Sequence, residues 1–214
     1  MTRLTGNAAR RALAAALAAA IVPAALAGCT RRTPSAPARL DAKRVVMIVP
    51  HRNFHDDELR DTTAVLEARG ARVTVASSSG EPVHGMLGSV VIPDATLDEV
   101  SVAAYDAVVF VGGAGAVEYW HDARAHALVQ QAVAQEKVLA AICLAPVTLA
   151  QSGVLKLKRC TVAFSAAEQL RGRGAAYTGA DVQTDGRIVT ANGPRASRAF
   201  GRAIADVLAR PSEG

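Results

Sequence analysis

One cysteine stands where an apolar run stops and another begins: Cys143, in "VLAAICLAPVTLA", residues 138–150. A thiol held at a sharp turn between a strand and a helix faces the N–H groups and positive dipole end of that helix, which favour thiolate over thiol. Such a group can attack an electrophilic carbon or be oxidised. The same pattern also fits an inert core cysteine, the usual state of an apolar one. Two other stretches carry groups that could serve it. "HDDEL" (55–59) holds Glu58 among three consecutive acids, and "VGGAG" (111–115) is a glycine turn at the end of an apolar run. A carboxyl kept beside a thiolate and away from water has a raised pKa, so it can donate a proton. The glycine turn lacks the lysine and hydroxyl residue of a phosphate loop and the full spacing of a dinucleotide fingerprint, so no cofactor is expected. His51 and His55 flank the acidic stretch. His51 ends a strand on the same rim and is the candidate assisting base. His51, His55, Asp56 and Glu58 fit no standard zinc spacing, so no metal ligand is assigned. His84, His121 and His126 read as surface or satisfied side chains.

These groups need elements to position them. Branched, apolar "RVVMIVP" (44–50) predicts a strand buried on both faces. A helix is expected over 56–70, stopped by Gly70, then a strand over 71–77 and an extended excursion over 81–100. Strands over 105–115 and 138–142 bracket a helix over 121–137, and a short helix follows at 145–153. A strand at 158–164, a hairpin turning at Asp185–Gly186 and a helix at 195–210 complete the chain. Strands alternating with helices predict an α/β sandwich around a mainly parallel sheet. Sites in such sheets form at the C-terminal strand ends, where residues 50–58, 112–118 and 143–146 converge. On this reading Cys160 opens its strand whereas Cys143 closes its neighbour, too far apart for a disulfide.

Four segments in order carry a family resemblance: "VPHRNFHDDEL", "YDAVVFVGGAGAVEYW", "AAICLAPVTLAQSGVLK" and "VTANGP". Together they resemble the ThiJ/PfpI superfamily over about residues 44–209. The resemblance implies a flavodoxin-like three-layer sandwich with helices on both faces, usually as a homodimer. It also implies that Cys143 is the reactive cysteine and Glu58 the acid hydrogen-bonded to it. Gly113 and the N–H of Leu144 match the backbone donors to an oxyanion or oxidised sulfur. The departure is Leu144, where peptidase-like members carry histidine. "TVAFSAA", where other members supply one, has Phe164 and Ser165. The expected activity is therefore thiol chemistry on a small-molecule substrate or oxidant: a redox response or conversion of small reactive carbonyls. A non-enzymatic ligand- or partner-binding domain and a cysteine hydrolase are the alternatives, the latter weakened by Leu144.

The first 28 residues read as an export address. Arg3, Arg10 and Arg11 precede "ALAAALAAAIVPAALA", and "LAGC" ends at Cys29. This resembles a bacterial lipoprotein signal, with Cys29 lipidated and the domain anchored in the cell envelope. The Arg10–Arg11 pair alone is a weak twin-arginine signal. Residues 29–43, rich in proline, serine and arginine, form the expected tether to a domain at 44–210. The net charge is +5, but the leader's three arginines account for most of it, leaving 21 basic against 19 acidic residues. With no basic stripe interleaved with aromatics, nucleic acid is excluded as a partner.

Overall fold

The computed structural model describes residues 38–211, so the leader, Cys29 and most of the tether lie outside the described residues. The chain runs β1 (Arg44–Ile48), β2 (Arg52–Phe54), α1 (Asp56–Ala68), β3 (Arg72–Ser77), β4 (Val83–Gly85), β5 (Val90–Val91) and β6 (Ala95–Thr96). Next come β7 (Ala107–Phe110), α2 (Ala123–Ala134), β8 (Val138–Ile142), α3 (Pro146–Gln151), β9 (Arg159–Cys160) and α4 (Ala167–Arg171). The last elements are β10 (Ala176–Tyr177), β11 (Val182–Asp185), β12 (Ile188–Ala191) and α5 (Ser197–Leu208). One sheet orders seven strands as β11-β12-β8-β7-β1-β3-β6. All its pairings are parallel except the β11–β12 hairpin, in which Asp185 faces Ile188.

Side chains alternate across a strand, so each central strand feeds two cores. Val46, Ile48, Val108, Phe110, Leu139 and Ala141 face Leu128, Val129 and Leu149 of α2 and α3. Val45, Met47, Val109, Ala140 and Ile142 face Leu66, Phe200 and Ile204 of α1 and α5. These are the three layers expected of a flavodoxin-like sandwich, with near-continuous apolar strands at its centre.

Two expectations are corrected. The run 158–164 is not a strand of the main sheet. Only Arg159–Cys160 is regular, and it pairs with β10 in a separate ribbon. Beyond it the backbone N–H groups bond elsewhere: Thr161 to Thr190 Oγ1 at 2.9 Å and Ala163 to the carbonyl of Cys143 at 2.9 Å. Extended conformation without a ladder partner gives the strand pattern but no strand. The geometric argument against a Cys143–Cys160 bridge thus loses its premise, although both cysteines are free.

The excursion at 81–100 is more ordered than a connecting loop. β4 pairs with β2 in parallel and with β5 antiparallel, forming a small second sheet beside the site. Buried Asp56 locks its turn, accepting the N–H groups of Leu87 and Ser89 at 2.8 Å each. Burial opposes the charge, but the Ser89 side chain and these two N–H groups outweigh it and hold the carboxyl below its ordinary range. Its stabilisation is therefore present above the unfolded carboxylate pKa and is lost as pH falls through the lower folded value. Asp56→Ala should cost about 2 kcal/mol at neutral pH. Cleavage within residues 85–89 should rise first in limited proteolysis; an unchanged digest would rule out this anchoring role.

Candidate active site

Strand β8 ends at Ile142 and Cys143 turns the chain with φ of 61°. This left-handed conformation is costly for a side-chain-bearing residue, on the order of 1–3 kcal/mol. Two hydrogen bonds hold it: the Cys143 N–H donates to Ala191 O, and its carbonyl accepts from Ala163 N, both at 2.9 Å. The next helix, α3, starts only at Pro146 and has six residues. The Ala145 N–H turns back onto Ile142 O, so the donor beside the sulfur is the Leu144 N–H rather than a free helical turn. The Leu144 carbonyl accepts the Trp120 indole N–H at 3.2 Å, and the Leu144 side chain packs on the α2–α3 core. Its half-buried leucine braces the elbow where a proton shuttle would otherwise stand.

Glu58 reaches the sulfur from the first turn of α1, where three acids are favoured by the helix dipole. It is completely buried. Its Oε2 accepts the Gly112 N–H at 2.9 Å, while Oε1 is buried with no partner among the described residues. Burial, the largest cause, raises the carboxyl to about 7 against the opposing pull of the Gly112 N–H and the Cys143 thiol. Burial, and then the charge of Glu58, push the Cys143 thiol up to about 12; the N–H groups of Gly113 and Leu144 work the other way. The two groups titrate as a pair that releases its first proton near neutrality and its second far above it.

The glycine turn fits this crowding. A side chain on Gly112 would start 2.5 Å from Cys143 Cβ and 2.7 Å from Glu58 Oε2. Gly113, at φ of 100°, presses its backbone against residues 53–55. Only residues without Cβ allow this approach.

Glu58, Gly113 and Leu144 thus surround Cys143. His51 is placed differently. Its Nδ1 shares a 3.2 Å hydrogen bond with Ser79 Oγ and its backbone N–H donates to Glu118. It lines a neighbouring cavity with Arg52, Ser79 and Glu118 whose lining includes neither Cys143 nor Glu58. His55 precedes α1 with its Nδ1 buried and without a partner among the described residues, and His126 Nε2 bonds the Trp120 carbonyl at 2.9 Å. No group of three or more metal-ligating side chains occurs among the described residues. Sequence reasoning missed Gly112, Trp120 and the carbonyl of Ala191. A paired glycine was the only available signal for the first; the others act through long-range contacts that no local pattern announces.

Comparison with known proteins places this geometry. An uncharacterized protein of Methanocaldococcus jannaschii is 37% identical over 173 residues, covering 79% of this chain and 84% of its own. A glutathione-independent glyoxalase of Caenorhabditis elegans is 26% identical, over 80% of this chain and 91% of its own. A deglycase of Thermococcus kodakarensis is 30% identical, over 70% and 90%. The crystal structure of a ThiJ/PfpI domain protein from Brachyspira murdochii superposes with a TM-score of 0.77 at 30% identity, covering 78% of this chain and 97% of that one. A family model matches residues 43–207, from the residue before β1 to the end of α5, and so takes in every segment that meets at Cys143: the chain belongs to the DJ-1/PfpI family.

Proposed function

We propose that Cys143 is the nucleophile in conversion of small reactive carbonyl compounds, with Glu58 as its acid. The carrying observation is the buried carboxyl whose Oε1 has no partner beside the sulfur. Between its two proton releases the pair holds one proton. One backbone N–H faces the carboxyl, but two face the sulfur. We assign the charge to sulfur and the proton to Oε1, which removes the orphaned oxygen. The thiolate then adds to a carbonyl carbon as Glu58 passes its proton to the carbonyl oxygen. The C–S bond forms, the C=O π bond breaks, and no free oxyanion accumulates. The relatives named glyoxalase and deglycase support this reaction class. The same thiolate is open to peroxide, giving a sulfenic acid.

Alkylation of Cys143 by iodoacetamide tests the assignment. The rate should rise with a midpoint near pH 7, where the pair loses its first proton. If the charge resided on Glu58 the rate would stay low until near pH 12. Cys160, fully buried and raised to about 11, is the internal control that stays unmodified.

The reading includes an envelope location, with Cys29 lipidated and the domain tethered to a membrane; the support is the leader and "LAGC". Expressed in a bacterium, the wild-type chain should partition with membranes, and Cys29→Ala should release it. A variant that still partitions would exclude the anchor. A homodimer completes the proposal on family resemblance alone.

A further inference from the structure

The strand ends opposite Cys143 carry a second constellation. Lys43 precedes β1, Lys137 precedes β8 and Arg187 precedes β12. Because these strands are parallel, the three cations gather at one end of the sheet. Lys137 and Cys143 bracket β8, so the two ends lie roughly 20 Å apart along the strand. Two adjoining recesses, of about 330 and about 250 Å³, open there and share Glu136, Lys137, Arg187, Arg210 and Pro211.

The charges are unbalanced. Lys43 pairs with Asp106 at 3.0 Å, and Lys158 with Asp185 at 3.5 Å. Lys137, Arg187 and Arg210 make no salt bridge among the described residues, although the charge of Lys137 helps lower Asp106; with Lys43 and Lys158 the recesses carry five cations against Glu136, Asp106 and Asp185. Arg187 is half-buried and lines both recesses. Its Nε is buried with no hydrogen-bond partner among the described residues. A planar guanidinium fork matches a tetrahedral oxyanion. Three cations without salt bridges among the described residues, gathered around two recesses open to solvent, together describe a receptor for an anion.

We propose that this recess binds a phosphate-bearing group, with Arg187 as the central donor and Lys137 and Arg210 as its flanking charges. The proposal is independent of the chemistry at Cys143. The group can arrive as a soluble phosphate compound or as an anionic lipid headgroup. Lys43, just before β1, lies on this same end of the sheet.

The test uses the full chain and two probes. Inorganic phosphate is titrated while the backbone amide resonances of Gly186 and Ile188, which line the recess in wild type and variants alike, are followed. Flotation compares vesicles of phosphatidylcholine alone with vesicles also containing phosphatidylglycerol. Arg187→Gln and Lys137→Gln are run beside the wild type, with thermal melts confirming that they fold. Saturable shifts with phosphate but not with chloride at equal ionic strength, weakened about tenfold or more by Arg187→Gln, identify a soluble phosphate ligand. A preference for phosphatidylglycerol vesicles that both substitutions diminish identifies the headgroup; any contribution from the segment before the domain is the same in wild type and variants. Equal shifts with chloride, or phosphate and vesicle binding unaffected by both substitutions, would overturn the proposal.

Discussion

Cys143→Ser should abolish carbonyl turnover while leaving the fold intact. A hydroxyl has no ionised form at neutral pH, and no histidine adjoins the elbow to activate it. Loss of methylglyoxal consumption should reach roughly 10³-fold or more, the scale seen when a covalent nucleophile is removed. Peroxide-dependent mass gain should vanish from this position as well. The substitution changes little volume, and the backbone bonds to Ala191 and Ala163 do not involve the side chain. Stability should therefore move by less than about 1 kcal/mol. A serine variant consuming methylglyoxal at the wild-type rate would end the nucleophile assignment.

Glu58→Gln should separate activity from stability in opposite directions. The native pair of Glu58 and Cys143 keeps both its protons up to about 7, whereas in the unfolded chain the carboxyl releases its own near 4.5. Between those values the native state holds more protons than the unfolded chain, so wild-type stability falls as pH rises through the window and levels off above it. The full cost is about 3 kcal/mol, taking about 1.4 kcal/mol per pKa unit. Glutamine is the same shape, cannot ionise and does not bear that cost. The variant should therefore be more stable than wild type at pH 8, by up to about 3 kcal/mol, and the two should converge below pH 4.5. Turnover should fall by about 10²–10⁴-fold, the usual contribution of a positioned acid. Denaturant midpoints at both pH values decide the matter: a variant no more stable at pH 8 than at pH 4.5, relative to wild type, would show that the Glu58–Cys143 pair loses no proton near neutrality.

The central architecture was legible because composition and geometry agree there. "VLAAI" is apolar on both faces and bounded by a lysine and a cysteine, and β8 spans those five residues. The acids of α1 announced its first turn because the helix dipole stabilises them there. The second sheet was not legible, because three-residue β2 and β4 depend on partners far along the chain and have no period to read. Residues 158–164 misled because branched and aromatic residues favour extended backbone, whatever accepts its hydrogen bonds. Sequence could not show that the Nδ1 of His51 meets Ser79 and its backbone N–H meets Glu118, in a cavity whose lining includes neither Cys143 nor Glu58.

The hydrogen bond from Gly112 to Glu58 joins residues 54 positions apart, and the sulfur lies on a third segment. Closing loops of that length costs entropy that only the completed core repays. No early folding fragment holds both the thiol and its acid. In an unfolded or half-folded chain Cys143 is an ordinary thiol, with ionisation near that of a free cysteine. The reactivity near pH 7 proposed for Cys143 therefore requires these long-range contacts. The rate of thiol labelling then becomes a clock for folding, reporting when the domain has finished assembling.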